Sequence, residues 1–253
     1  MKVLVKIGTT LLTTEKGELD LNNLRQLIHQ ISDVIKQGNQ IIIVTSGAIT
    51  SGSTVINTNL QTMPEKQAAA SIGQLLLMNE YSLFFKIHGI QIGQLLLTKD
   101  GLLNNDRRHN ALNTINTLLS HECIPIINEN DSVSTKEIKF GDNDELSSLV
   151  AVLCKVDRYI LLSDINGVYT DDPSHPDATL IPTIDHINDH IRSIAKGPKS
   201  KQGSGGMISK IDAADYAMKQ GVTVTIANGR QHQVLQDILE NKSIGTTFKK
   251  TNQ

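Results

Sequence analysis

The chain has 253 residues, of which 39% are hydrophobic and 20% charged, with a formal net charge of −2. That length suits one large α/β domain or two small ones. An aromatic content of 3%, no tryptophan and no basic excess argue against a nucleic-acid surface, and no apolar run reaches membrane-spanning length.

Taken in chain order, the pattern alternates strand and helix. Lys2–Ile7 reads as a short strand followed by the turn Gly8-Thr9-Thr10. Asp20 is placed to cap a helix whose Leu21, Leu24, Ile28, Ile31 and Ile35 recur at helical spacing, with Gly38 ending it. Ile41–Val44 is a continuous apolar strand suited to burial on both faces. A helix over about Glu65–Lys86 leads to a strand near Ile90–Leu97, and a helix near Asp106–His121 leads to the strand Ile124–Ile127. "ELSSLVAVLCKV" is helical and "RYILLS" is the next strand. A helix from Met207 to Gly221, the strand Val222–Ala227 and a helix over about Gln233–Glu240 complete the series. "EIKFGDN" looks like a hairpin or loop excursion.

Such alternation predicts an α/β protein, a three-layer αβα sandwich around a mainly parallel sheet. There is no repeat, low-complexity tract or linker, so residues 1–253 are expected to form a single domain. "MKVLVKIGTT" lacks the apolar core and cleavage site of a signal peptide, which makes a cytoplasmic protein the expectation. Cys123 and Cys154 sit alone in apolar stretches and are expected to be buried core thiols.

Ligands of open parallel sheets bind beyond the carboxyl ends of the strands. Here the strands run into Gly8-Thr9-Thr10, "TSGAI", "NENDSV" and "SDINGVYTDDP". One small polar loop means little, but four gathered on one edge make a site. "GSGGMISK" adds a glycine-rich approach to a helix whose first turns carry Lys210, although it matches neither a Walker A loop nor a dinucleotide fingerprint. Its glycines let backbone N–H groups approach an anion, and the helix N-terminus favours phosphate. Lys6 lies inside the apolar strand "VLVKIG", a costly place for a cation unless it is paired or put to use. Two lysines converging on one site would supply the positive charge that phosphoryl transfer needs.

"VKIGTTLL", "IIIVTSGAI", "IPIINENDSV", "GDNDELSSLVA", "YILLSDINGVYTDDP" and "GSGGMISKIDAAD", in this order along nearly the whole chain, resemble the amino acid kinase family. Within it, "TSGAI", "NENDSV" and "GDND" in series are similar to the branch that phosphorylates the side-chain carboxylate of glutamate at the start of proline synthesis. The resemblance implies that family's carbamate kinase-like fold, with ATP and L-glutamate as substrates. It implies that Lys6 and Lys210 hold the ATP phosphates and stabilise the transferring group, oriented by Asp144. Ser46, Asp131 and Asn143 would bind glutamate. Gly8 and Gly47 would offer backbone N–H groups to phosphoryl oxygens, and Ser163 and Asp164 would lie near the nucleotide. Ser204, Gly205, Gly206, Met207, Ile208 and Ser209 would form the nucleotide loop that ends at Lys210. Mg2+ would be held mainly through the ATP phosphates, without a dedicated metal site of the protein. A homo-oligomer, dimer or tetramer, is implied, and the chain is expected to do without the RNA-binding-like (PUA-type) C-terminal module of many relatives.

His186 and His190, four apart, have no evident third ligand and read as solvated surface histidines. Asp171 and Asp172 read as an acidic turn before Pro173 rather than a magnesium pair. Two alternatives remain: a sibling kinase acting on N-acetylglutamate, aspartate, carbamate or UMP, and a non-catalytic nucleotide or amino acid sensor on the same scaffold. The presence of both lysines favours an enzyme.

Overall fold

The computed structural model describes residues 1–56, 60–133, 143–196 and 206–249. β1 (Lys2–Ile7) opens the chain, and α1 (Thr9–Leu12) turns the expected Gly8-Thr9-Thr10 loop into a single helical turn. α2 (Leu21–Lys36) is capped as predicted: the Asp20 carboxylate accepts from the Asn23 N–H at 3.0 Å. Gly38 ends it with φ +85°, a left-handed conformation that glycine adopts without penalty. β2 (Gln40–Val44) leads to α3 (Ala48–Ile56) and α4 (Met63–Ile87). α4 begins with a capping box: Glu65 N–H donates to the Thr62 hydroxyl while the Glu65 carboxylate accepts from Thr62 N–H.

β3 (Gln91–Leu97), α5 (Lys99–Leu103), α6 (Asn105–Ser120) and β4 (Cys123–Glu129) follow. α7 (Asp144–Leu153) precedes β5 (Arg158–Ser163). Then come β6 (Thr183–Ile184), α8 (Asp189–Lys196), α9 (Met207–Lys219), β7 (Thr223–Asn228), α10 (Val234–Leu239) and β8 (Thr246–Phe248). Of the excursion expected over "EIKFGDN", all but Asn143 lies outside the described residues.

Among the described residues the strands form one sheet in the order β3-β4-β2-β1-β5-β7-β8-β6. Every pairing is parallel except β7 with β8. β1 lies at the switch point: the chain builds outward on one side through β2 and β4, then returns to its other side with β5.

The period-2 alternation of β1 divides the core. Val3, Val5 and Ile7 pack with α2, α4 and α10 residues such as Leu24, Tyr81 and Leu235, while Leu4 packs with Val150, Ile211 and Ala217 of α7 and α9. Lys6 shares the face of Leu4. A cation in the central strand is therefore aimed at the two helices that begin above the sheet's carboxyl edge.

Candidate active site

Lys6 is 1% exposed and its Nζ lies 2.5 Å from Asp144 Oδ1. Asp144, fully buried, is the first residue of α7. Its other oxygen, Oδ2, accepts from Lys210 Nζ at 3.1 Å and from the Ser209 hydroxyl at 2.6 Å. Both lysines and the carboxylate are thus brought together as expected. Desolvating three charged groups costs several kcal/mol each before pairing offsets it. Among the described residues, the two ammonium groups meet on this one carboxylate at the carboxyl edge of β1.

Gly206 caps α9, placing Met207, Ile208, Ser209 and Lys210 in its first turn. Ser204 and Gly205 lie outside the described residues. Ser163, the last residue of β5, donates its hydroxyl to Asp164 Oδ1 at 3.0 Å. Gly47 has φ +89° and sits against Leu12, Thr9 and Thr13. Gly8 departs from its expected role as a phosphoryl donor. Its N–H donates to the Leu162 carbonyl at 3.1 Å, because the β1–β5 ladder continues one residue past the strand end.

On the other side, the buried Ser46 hydroxyl donates to the Ile7 carbonyl at 2.7 Å. Asn143 Nδ2 donates to the Thr45 carbonyl at 2.6 Å and to Asn128 Oδ1 at 2.5 Å. Asn128 Nδ2 in turn donates to Gln74 Oε1 at 2.6 Å. Asn128 sits at the end of β4 on the face that meets α4, as do Ile124 and Ile126. Thr45 Oγ1 meets the fully buried Tyr81 hydroxyl at 3.0 Å, and burial pushes that phenol above its ordinary range.

A cavity of about 300 Å³ opens beside this chain, lined by Gln74, Gln94, Glu129, Asp131 and Ser132 among others. Burial pushes the Glu129 carboxyl up to about 7, with Asp131 adding to the effect and Lys99 opposing it. Burial likewise raises Asp131 to about 6. Two partly buried carboxylates side by side suit an ammonium group, whose charge would favour the ionised form of both.

Gln74, Asn128 and Glu129 were not singled out in the sequence. Asn128 and Glu129 stand in the quoted "NENDSV" and could have been found there. Gln74 is one glutamine in a long helix that is apolar on more than one face, and it gives no signal. His186 and His190 are exposed, as expected. Asp171 and Asp172 form an exposed turn in which Asp172 accepts from Ser174 and Asp171 contacts His175. Cys154 is buried and its thiol is pushed up to about 11, whereas Cys123 is only half-buried, because it opens β4 directly after the exposed His121 and Glu122. Among the described residues no three His, Cys, Asp or Glu side chains cluster as metal ligands, and no helix is long and apolar enough to cross a membrane.

A mainly parallel sheet between helices, with two buried lysines on one carboxylate at its carboxyl edge, fits a phosphoryl-transfer class of site. The family model for the amino acid kinase family matches residues 1–228, and the chain belongs to that family. It is 45% identical over 249 residues to a glutamate 5-kinase of Clostridium tetani, covering 97% of this chain and 93% of that one. A glutamate 5-kinase of Shewanella amazonensis is 42% identical, covering 98% of this chain and 66% of that one. In fold it is similar to a UMP kinase of Bacillus anthracis, with TM-score 0.69, 16% identity and coverage of 99% and 96%. An isopentenyl phosphate kinase of T. acidophilum gives TM-score 0.68 at 15% identity, with coverage of 98% and 100%.

Proposed function

We propose that this chain is an ATP-dependent glutamate kinase, transferring the γ-phosphoryl group of ATP to the side-chain carboxylate of L-glutamate. A carboxylate oxygen forms a bond to the γ-phosphorus while the bond to the β,γ-bridging oxygen breaks, giving γ-glutamyl phosphate and ADP. The carboxylate is already ionised at neutral pH, so no general base is required. The observation that carries this reading is the single carboxylate of Asp144 holding Lys6 and Lys210 together. In this reading both ammonium groups face the migrating phosphoryl group and Asp144 fixes their positions. Magnesium bound to ATP supplies further neutralisation of the phosphate charge. Asp144 has both oxygens engaged by this chain's own donors, so it acts as an organiser.

Acceptor choice rests on the other half of the site. The carboxylates of Asp131 and Glu129 beside the cavity suit a free α-ammonium group, which N-acetylglutamate, carbamate and UMP lack. The names of the similar glutamate 5-kinases support the same acceptor. The pathway is then the first step of proline synthesis, and the glycine-rich run ending at Lys210 is the nucleotide loop. A homo-oligomer is part of the proposal, supported by Leu75, Leu83 and Ile87 of α4, each more than half exposed.

The test is ADP release from MgATP with glutamate, N-acetylglutamate, aspartate, carbamate and UMP in parallel, with hydroxylamine to trap acyl phosphate. Turnover and hydroxamate with glutamate are expected. Turnover with a different acceptor alone overturns the acceptor assignment, and turnover with none favours the sensor.

A further inference from the structure

The side-chain amides beside the cavity have only one consistent orientation. Thr45 contributes a backbone carbonyl, which can only accept, so Asn143 must present Nδ2 to it. The same nitrogen reaches Asn128 Oδ1, and both its protons are then used. Asn128 Oδ1 also accepts from Glu129 N–H at 2.9 Å, and a backbone N–H can only donate. Asn128 therefore turns Nδ2 toward Gln74, and Gln74 must answer with Oε1. The chain is anchored at both points by backbone groups of fixed polarity, so no flipped arrangement satisfies it.

Two consequences follow at its ends. Asn143 keeps Oδ1, an acceptor, for whatever docks beside it. Gln74 keeps Nε2, a donor, and this atom is buried without a hydrogen-bond partner among the described residues. Gln74 is 9% exposed and lines the same cavity as Glu129 and Asp131. A buried amide donor left unmatched costs about 1–3 kcal/mol, so an acceptor placed there on binding recovers stability.

We propose that Gln74 is a specificity-determining residue that donates to the α-carboxylate of the acceptor amino acid, while Asp131 and Glu129 take its α-ammonium group. The cavity then reads both ends of a zwitterion with opposite polarities: carboxylates for the cation and an amide N–H for the anion. Its rigidity comes from the Thr45–Asn143–Asn128–Gln74 chain, which ties the acceptor pocket to the loop carrying Ser46. The proposal rests on the glutamate kinase reading and adds the residue that recognises the α-carboxylate.

The test pairs two variants with two ligands. 4-Aminobutyrate is glutamate with hydrogen in place of the α-carboxylate, keeping the amino group and the reacting carboxylate. Each ligand is measured as substrate by hydroxamate formation, and 4-aminobutyrate also as a competitor of glutamate to give Ki. Gln74→Leu is expected to raise the glutamate KM about tenfold, with kcat changed less than about threefold. Its effect on 4-aminobutyrate is expected to be less than twofold. Gln74→Glu can still accept from Asn128 but turns an acceptor toward the ligand carboxylate. It is expected to weaken glutamate more than Gln74→Leu does, and to leave 4-aminobutyrate unchanged or tighter. Equal losses for both ligands in either variant would make Gln74 structural and overturn the proposal. Wild-type enzyme that forms no hydroxamate with glutamate would instead overturn the functional reading, and the proposal with it.

Discussion

Lys6 Nζ lies 2.5 Å from Asp144 Oδ1, with both side chains shielded from solvent, and the other oxygen of the same carboxylate holds Lys210. The pair joins the central strand to the start of α7. Asp144→Asn keeps the shape and removes the charge that two buried ammonium groups share. It is expected to lower kcat a hundredfold or more and to destabilise the fold by about 3–5 kcal/mol. MgATP should restore part of that stability, because phosphate can replace the missing anion. Thermal unfolding with and without nucleotide checks both statements.

The titration of Glu129 and Asp131 sets the pH response of substrate binding. Both are raised, to about 7 and about 6, and only their ionised forms hold an ammonium group. The glutamate KM is expected to rise as pH falls from 8 to 5.5, with kcat less affected. A KM flat across that range would contradict the assignment.

The same shift has a cost in stability. A carboxyl whose folded pKa lies above its unfolded value contributes stability that is present at low pH and lost as pH rises through about 7. Glu129→Gln is therefore expected to stabilise the protein at pH 8 by about 1 kcal/mol, discounted for the solvent that still reaches the carboxyl. The gain should vanish near pH 4, while the glutamate KM rises. Denaturant melts at the two pH values check the sign.

Lys6 was legible in the sequence because a lysine inside an apolar strand needs a reason, and Asp20, Gly38 and "RYILLS" announced their roles through capping, left-handed turn and burial. α3 was missed because "AITSGSTVI" mixes small and β-branched residues without clear helical spacing. β6 and β8 are two and three residues long, too short for any periodicity, so the antiparallel pairing of β7 with β8 could not be anticipated. Gln74 acquires meaning only when α4 packs against the end of β4. The Gly8 donor was misjudged because strand pairing past the last strand residue is a tertiary fact.

α3 and α4 cross so closely that a Cβ on Gly73 would lie 1.8 Å from the Ala48 carbonyl oxygen, and one on Gly52 would lie 1.8 Å from that of Ala69. Gly73→Ala is expected to cost about 3 kcal/mol and to raise the glutamate KM, since Ala48 directly follows the Ser46-Gly47 turn and Gln74 is the next residue. Gly38→Asn, at φ +85° in open space, should cost less than about 1 kcal/mol. Thermal melts of the two variants provide the comparison.

The central claim is that Lys6 and Lys210, fixed by Asp144, stabilise the migrating phosphoryl group rather than merely hold ATP. The most direct measurement is kcat together with the ATP dissociation constant for Lys210→Ala. A fall in kcat of a hundredfold or more, with ATP affinity changed only a few-fold, is the predicted result. Near-normal turnover in that variant would contradict the account.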